Sequence, residues 1–436
     1  MSEFVNNSGT SQSLMSVVDD QDSSRRELLV TRPVMYDALV LDARLRQSLV
    51  TVRSLGRRGL RVAVLGGSAG DPASASRWCQ QAFACPAEEG TEAYLAYLEQ
   101  LLERIGVGVL IASSDATIAL IRRHRERLEQ RVRIALAKEP ALGIAINKEQ
   151  TLALAKRLGV GIPRSVPAAD VSEVGAALRE IGLPAVVKPV ESWGWDGRQG
   201  APVASQLVTS VEEACRAVEE LTRFGGSTLF QEFLPGRRES LSFFYAHGEV
   251  YARFAFWGQR TNPPLGGVYV LRQSIAMPED IGEQAERLVR EMELEGYSQI
   301  EFRRDNLGTP YLMEINSRLN LGIEVAVRAG VDFPYLLYQW AMGQPIDRVE
   351  SYRLGGRMRY LRGDIATTIA ALQQRGRPGV SPPAKAVFDF CAAFFTSNHY
   401  DCLDWQDLLP AWRATAGFTR YLLHRVRSSL AGRKSP

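Results

Sequence analysis

Hydrophobic and polar positions in the first half of the chain fall into two kinds of block. Short runs rich in Val, Leu and Ala are followed by longer stretches with the spacing of an amphipathic helix. This pattern predicts strands at residues 37–42, 61–66 and 107–115, and helices at residues 45–59, 91–105 and 116–130. Strands that alternate with helices of this length are typical of a parallel α/β sheet. We expect such a sheet to begin at Tyr36.

The second half of the chain contains more hairpin signals. A helix is predicted from Asn147 to residue 158, where Gly159 ends it. Strand-like runs then recur on either side of short turns, and a helix over residues 280–293 leads into a last hairpin. This pattern predicts an antiparallel α+β region after the parallel α/β domain.

The last hairpin, within residues 299–318, carries the most informative pattern. Two alternating runs flank the polar turn at residues 305–308, and a loop centred on Leu307 and Gly308 puts Glu301 directly opposite Glu314. The apolar residues of both strands then point to the other face, as a set that packs in the core should. That set consists of Ile300, Phe302, Met313 and Ile315.

Two carboxylates that face each other across a hairpin should destabilise it by roughly 0.2–1 kcal/mol. The arrangement makes sense if a cation lies between them. Glu301, Glu314 and Asn316 supply the oxygen ligands that Mg²⁺ prefers, with room left for phosphate oxygens, and Arg318 could meet such an oxygen. The alternative is a solvated strand face on which Arg303 and Arg304 screen the glutamates.

A second signal lies at residues 183–200. A β-branched run delivers Lys188 to the end of a strand, and a loop containing Ser192, Gly194 and Gly197 follows. Backbone N–H groups of such a loop can close on a triphosphate, while the lysine acts as a point charge. The loop is not a P-loop, because no GKS or GKT sequence follows the glycines.

Composition narrows the class of protein. At 436 residues with 45% hydrophobic content, the chain can form two or three domains. A net charge of +3 from 52 basic and 49 acidic side chains gives no signature of nucleic-acid binding. Five scattered cysteines without CxxC pairs indicate a reducing compartment and no zinc site. Without a secretory h-region or an apolar run of 18 residues, we expect a cytoplasmic protein with no transmembrane segment.

The segments IEFRRD and MEINSR resemble the metal-binding hairpin of the ATP-grasp superfamily. Its members include biotin carboxylase, the carbamoyl phosphate synthase large subunit, D-alanine ligase and other carboxylate–amine ligases. The resemblance implies a two-lobed ATP-grasp domain that binds ATP and Mg²⁺ (or Mn²⁺). It also implies that Glu301, Glu314 and Asn316 hold the metal, and that Arg318 faces the reacting phosphoryl group.

Three further segments match the family's order. NKEQTLALAKRLGVGIPRSV resembles the entry segment, VVKP with its glycine loop resembles the small lobe, and QEFLPG resembles the adenine-binding strand. The implied roles are phosphate contact for Lys148 and Lys188, adenine contact near Gln231 and Leu234, and ribose contact for Glu239. The full implied nucleotide set is Lys148, Lys188, Ser192, Gly194, Gly197, Gln231, Glu232, Leu234 and Glu239.

Substrate residues are less well marked. Asp115 lies at the carboxyl end of a predicted strand, the usual ligand edge of an α/β sheet, although it could instead cap the next helix. Arg260 and Arg272 flank a Pro- and Gly-rich loop at residues 263–267. In relatives, arginines in this region often clamp a substrate carboxylate.

These features divide the chain into a disordered tail (1–35), an N-terminal α/β domain (36–145), an ATP-grasp domain (146–345) and a mostly helical C-terminal extension (346–436). The extension ends in a basic helix with Arg413, Arg420, Arg425 and Arg427. That helix could lie on anionic lipid or, more commonly, be the solvated face of a docked helix.

The resemblance implies a ligase in which the γ-phosphate of ATP passes to a carboxylate and an amine attacks the resulting acyl phosphate. Lys188 and Arg318 would be its catalytic residues. The expected partners are a small-molecule carboxylate and an amine, with a homodimer left open. Two alternatives stand: a non-catalytic ATP-binding protein with a regulatory or assembly role, and a bicarbonate-activating enzyme like biotin carboxylase.

Overall fold

The computed structural model describes residues 35–195, 200–223, 226–264, 266–377, 380–396 and 398–415. Residues 1–34 of the predicted N-terminal tail, Gly197 and the basic residues Arg420, Arg425 and Arg427 lie outside these ranges. Within them, no helix combines the length and the apolar character needed to cross a membrane.

Five parallel strands form the N-terminal sheet in the order β3-β2-β1-β4-β5. The strands are β1 Tyr36–Val40, β2 Val62–Gly66, β3 Cys79–Ala84, β4 Val107–Ile111 and β5 Arg133–Ile134. The accompanying helices are Arg46–Arg57, Glu92–Arg104, Asp115–Arg123, Arg125–Glu129, Ala141–Ile146 and Lys148–Arg157. The predicted parallel α/β sheet is confirmed, although His124 divides the helix expected at residues 116–130 into two.

A four-stranded antiparallel sheet follows, in the order β10-β7-β11-β6, and two helices cover it. This region comprises β6 Ser165–Ala168, a 3₁₀ turn Val171–Glu173, helix Val174–Ile181, β7 Ala185–Pro189, β8 Trp193–Trp195, β9 Gly200–Pro202, β10 Gln206–Val208, helix Val211–Thr222 and β11 Thr228–Glu232. Phe230, Val187 and Leu221 belong to its separate apolar core. β8 and β9 form a small hairpin outside the sheet.

The largest sheet has seven strands in the order β16-β15-β12-β13-β14-β17-β18, antiparallel except for the last pair. The strands are β12 Arg238–Ala246, β13 Glu249–Asn262, β14 Val268–Ile275, β15 Gly296–Arg304, β16 Pro310–Asn316, β17 Arg357–Arg359 and β18 Asn398–Tyr400. Its helices are Glu279–Glu291, Ile323–Ala329, Phe333–Met342, Leu361–Gln373 and Pro383–Ala392. The predicted combination of a parallel sheet and antiparallel α+β lobes is therefore confirmed.

The two faces of this sheet belong to different apolar cores. Ile300 and Phe302 share one core with the helix Glu279–Glu291, whereas Phe254 and Phe256 share the other with the helix Phe333–Met342. Both cores continue into residues of the N-terminal sheet. The two sheets therefore enclose common apolar interiors, which fixes the N-terminal sheet against the hairpin β15–β16.

Buried ion pairs join the C-terminal extension to the rest of the protein. Asp401 accepts a hydrogen bond from Arg272 Nη2 at 2.7 Å and another from Arg46. Asp407 accepts one from Arg53 Nε at 2.9 Å. With β17 and β18 in the large sheet, the extension is an integral part of the described structure.

Candidate active site

The hairpin β15–β16 has the predicted register at its functional positions. Glu301 lies opposite Glu314, and Gln299 lies opposite Asn316. Beyond Glu301 the register shifts, so that Phe302 pairs with Leu312. The expectation that Met313 packs in the core is wrong, because this bulge buries Leu312 completely and leaves Met313 half-buried.

Glu301 is 7% exposed and is held by two donors, one on the adjacent strand β12 and one on β14. Arg238 Nη2 donates to Glu301 Oε2 at 2.9 Å, and the Tyr269 hydroxyl donates to the same oxygen at 3.2 Å. The pKa of Glu301 is raised because burial removes its carboxylate from water; the charge of Glu314 adds to this rise and Arg238 opposes it.

Glu314 lies in the positive field of Lys148, Lys188 and Arg238. Burial alone would raise its pKa, but the charges of Lys148, Lys188 and Arg238 outweigh burial and lower it. Asn316 Nδ2 donates to Glu314 Oε1 at 3.4 Å. Burial lowers the pKa of Lys188 to about 8, and Lys148 contributes to the same shift. The two lysines and the carboxylate hairpin therefore share one electrostatic environment.

Lys148 connects the start of a helix to the glycine loop. Asn147 caps the helix Lys148–Arg157 by accepting a hydrogen bond from the backbone of Gln150. Lys148 Nζ donates to Ser192 Oγ at 3.3 Å, and its backbone N–H donates to the carbonyl of Val190 at 3.0 Å. These bonds place a buried ammonium beside the loop that follows Lys188.

Arg318 forms a bidentate ion pair with Asp115 of the N-terminal domain. Its Nε and Nη2 atoms donate to the two carboxylate oxygens at 2.6 and 2.8 Å. Ser114, rather than Asp115, provides the side-chain cap of the helix, since Ser114 Oγ accepts a bond from the backbone of Thr117. Asp42, at the end of β1, accepts bonds from the backbone N–H groups of Ser113 and Ser114 and so holds this turn. The carboxylate of Asp115 is therefore directed at Arg318.

An open cleft lies between these elements. Its lining includes Asp115, Ile118, Arg122, Lys148, Ser192, Trp193, Glu314, Asn316 and Arg318. Trp193 of β8 reaches the N-terminal domain, where Gly90 adopts a φ of +83° and a Cβ would lie 2.7 Å from the indole. The start of the glycine loop thus packs against the parallel α/β domain.

Gln231 and Leu234 lie near the end of β11 and are buried. Gln231 Nε2 donates to Ser165 Oγ at 3.1 Å, while its Oε1 atom is buried without a hydrogen-bond partner among the described residues. Glu232 instead turns to Arg164, which donates to it from both its backbone and its side chain. A polar atom buried with no partner suits an edge of a ligand such as a nucleobase.

Glu239 does not lie on the face of the seven-stranded sheet that carries Glu301. It pairs across the ladder with Phe302, on the opposite face from Glu301, and forms ion pairs with Arg304 Nε at 2.7 Å and Arg237 Nε at 3.1 Å. Arg238 lies on the same face as Glu301 instead. Sequence reasoning missed Arg238, because its position depends on the pairing of β12 with β15.

Arg260 and Arg272 also lie away from the cleft lining. Arg260 Nη1 lies 3.0 Å from Asp364, and its Nη2 donates to Thr368 at 2.8 Å. Arg272 is 1% exposed and binds Asp401. Both arginines are therefore engaged by the C-terminal extension.

The donor set fits a nucleotide with a divalent cation. Among the described residues no three His, Cys, Asp or Glu side chains cluster as a self-sufficient metal site. Two facing carboxylates and one amide oxygen leave coordination positions for phosphate oxygens, as Mg²⁺ sites with bound nucleotide do. Lys148, which lines the cleft, and Lys188, which lies in the same electrostatic environment, suit the phosphates themselves.

Comparisons with known proteins agree with this geometry. The family described as "ATP-grasp in the biosynthetic pathway with Ter operon" matches residues 227–363, which include the whole carboxylate hairpin. D-alanine–D-alanine ligase of Nitrosospira multiformis is 24% identical over 210 residues, 45% of this chain and 66% of that protein. The corresponding ligase of Pseudomonas putida is 21% identical over 211 residues, 45% of this chain and 64% of that protein. The chain thus spans just under two thirds of the length of these curated relatives.

Solved structures share the fold. Biotin carboxylase from Campylobacter jejuni superposes with a TM-score of 0.61 at 16% identity, covering 74% of each chain. L-amino acid ligase from Bacillus licheniformis gives a TM-score of 0.56 at 18% identity, covering 72% of this chain and 76% of that one. These structures share the fold of this chain, and its residues 227–363 match an ATP-grasp family model.

Proposed function

We propose that this protein is an ATP-dependent ligase that joins a carboxylic acid to an amine. A carboxylate oxygen attacks the γ-phosphorus of ATP, and the bond from that phosphorus to ADP breaks. The amine nitrogen then attacks the acyl carbon, the bond from carbon to phosphate breaks, and the nitrogen loses a proton. The observation that carries the proposal is the convergence of Lys148, Lys188 and Arg318 on the carboxylate pair.

The nucleotide would lie between the four-stranded sheet and the seven-stranded sheet. Gln231 Oε1 and the backbone near Leu234 would receive the adenine, while Lys148 and Lys188 would contact the phosphates. Ser192 and Gly194 would contact the phosphates. Both carboxylate oxygens of Glu239 are already ion-paired, so we assign it no contact with the ribose.

Glu301, Glu314 and Asn316 would hold the divalent cation. When bound, the cation supplies charge neutralisation for the triphosphate. The chain's own residues contribute position and charge: Lys188 and Arg318 stabilise negative charge on the transferred phosphoryl group, and no nucleophilic side chain is required.

The acid substrate would enter the cleft between the N-terminal domain and Trp193. Arg318 suits a carboxylate or an acyl phosphate in this cleft, because a guanidinium binds such groups well. Asp115 fixes the orientation of Arg318 through two hydrogen bonds. Arg122 lines the same cleft. Because Arg318 lines the cleft and Arg260 and Arg272 do not, we assign the substrate carboxylate to the Arg318 side.

Release of ADP tests the proposal. The purified protein is incubated with ATP, Mg²⁺ and a panel of amino acids and small carboxylic acids, singly and in pairs, and new products are identified by mass. We expect ADP release to require a particular acid and amine, and to be lost in Glu314→Gln. Nucleotide binding without ADP release under any pair would instead favour a regulatory or assembly protein, and release with bicarbonate alone would favour the carboxylase-like reaction.

A further inference from the structure

Arg238 is fixed at the metal hairpin by three kinds of contact. Its Nη2 atom donates to Glu301, and its Nη1 atom donates to the carbonyl of Gly267 at 2.9 Å. Its guanidinium lies over the ring of Tyr269, 4.5 Å from the centroid. Tyr269 in turn contacts Glu301 and Ser240. This network places a cation of the chain itself on a carboxylate that is proposed to hold the metal.

The other carboxylates of the cleft also have cationic neighbours. Asp115 is paired with Arg318, and Glu314 lies in the field of Lys148 and Lys188. The cations that interact electrostatically with Glu301 or Glu314 are Lys148, Lys188, Arg238, Arg303 and Arg318. Arg122 and Glu191 also line the cleft, and Asp42 acts on Arg318. Cations therefore outnumber carboxylates immediately around the two glutamates, which opposes binding of a divalent cation there.

We propose that Arg238 is a positioning residue that competes with the divalent cation for Glu301, so that the cation binds only together with the nucleotide. A triphosphate brings more negative charge than the cation brings positive, and it reverses the balance of the cleft. Arg238 can then share Glu301 with the cation or turn to the phosphates. The inference rests on the proposed nucleotide site and specifies the order in which that site fills.

The neighbouring Arg237 offers a matched control. It has the same side chain, but it binds Glu239 on the opposite face of the sheet and stacks over Trp257, 4.3 Å from the ring centroid. Loss of its charge should leave the cleft unchanged. Arg238→Lys is the complementary variant, because it keeps the charge and loses the planar fork.

Binding of Mn²⁺, followed by the electron paramagnetic resonance signal of the free ion, tests the proposal with and without a non-hydrolysable ATP analogue. We expect the wild type to bind Mn²⁺ at least about tenfold more weakly without the analogue than with it. Arg238→Gln should tighten binding of Mn²⁺ to the nucleotide-free protein by about tenfold or more. Arg237→Gln and Arg238→Lys should both bind Mn²⁺ as weakly as the wild type without the analogue.

Two results would overturn the proposal: equal Mn²⁺ affinity of the wild type with and without the analogue, or a folded Arg238→Gln variant with unchanged or weaker nucleotide-free affinity. If Arg238→Gln does not fold, the wild type and Arg238→Lys still decide, because both must bind Mn²⁺ weakly until the analogue is added. Failure of the analogue itself to bind, measured by calorimetry without metal, would refute the nucleotide site. The nucleotide-free Mn²⁺ titrations would remain a separate test of Arg238.

Discussion

Removal of the negative charge of Asp115 should slow phosphoryl transfer without unfolding the protein. In Asp115→Asn the amide keeps one acceptor, but its NH₂ group meets the guanidinium of Arg318 and the bidentate pair is lost. Arg318 then has more freedom within the cleft. A displacement of about 1 Å in a catalytic group can cost about 100-fold in rate, so we expect a fall in kcat of about 10- to 100-fold.

The cost in stability should be small. The Asp115 side chain is 40% exposed, and a solvent-screened ion pair contributes at most about 1 kcal/mol to the free energy of unfolding. Asp37→Asn is the matched control, since Asp37 binds Arg61 through two side-chain hydrogen bonds at the other end of β1. It should lose a similar amount of stability and keep its kcat.

The assay measures ADP release at saturating ATP, together with the KM for ATP and the thermal unfolding midpoint of each variant. The account predicts a lower kcat in Asp115→Asn, a KM for ATP within about threefold of wild type, and similar unfolding midpoints in the two variants. If Asp115→Asn turns over at the wild-type rate, Asp115 does not position Arg318. If Asp37→Asn loses as much activity, the effect is a general loss of structure.

Three further changes address other parts of the structure. Burial lowers the pKa of Lys188 to about 8, below its unfolded value, so the charged lysine destabilises the folded protein below pH 8. The free energy of unfolding should therefore rise as the pH increases from 8 towards the unfolded pKa. Nucleotide phosphates should reverse that shift, so calorimetry at pH 8.5 in buffers of different ionisation enthalpy should detect proton uptake on binding that is absent in Lys188→Met. Asp401→Asn leaves the buried Arg272 without its charged partner and should lower the free energy of unfolding by about 3–5 kcal/mol, measured with urea. As a control, Asp404→Asn breaks the more exposed ion pair with Arg57 and should lower it by less than about 1 kcal/mol. Glu314→Gln should abolish turnover with Mg²⁺ and leave the circular dichroism spectrum unchanged; full activity would refute its assignment to the metal.

Much of the fold and part of the site could be predicted from local sequence patterns. The facing of Glu301 and Glu314 followed from a short hairpin, because strand alternation and a nearby turn fix the register. The bulge that places Leu312 instead of Met313 in the core could not be predicted, because an extra residue in a strand depends on packing from other elements. The parallel sheet was predictable for the same reason as the hairpin, from alternation of strands and helices.

Contacts between residues distant in sequence could not be read from patterns. Arg318 meets Asp115 across 203 positions, and Arg238 meets Glu301 across 63. Arg260 and Arg272 looked available for a substrate because their acidic partners, Asp364 and Asp401, follow more than a hundred positions later, in a segment with no motif of its own. Each case depends on tertiary pairing, which periodicity does not encode.

Transfer of ¹⁸O from a labelled carboxylate distinguishes an acyl phosphate from an acyl adenylate, once the ADP-release screen has identified the acid and the amine. We expect one ¹⁸O atom to appear in inorganic phosphate during turnover, seen as an isotope shift in the ³¹P spectrum, with ADP as the stoichiometric nucleotide product. Label in AMP together with release of pyrophosphate would contradict the acyl-phosphate mechanism, and so would inorganic phosphate without label.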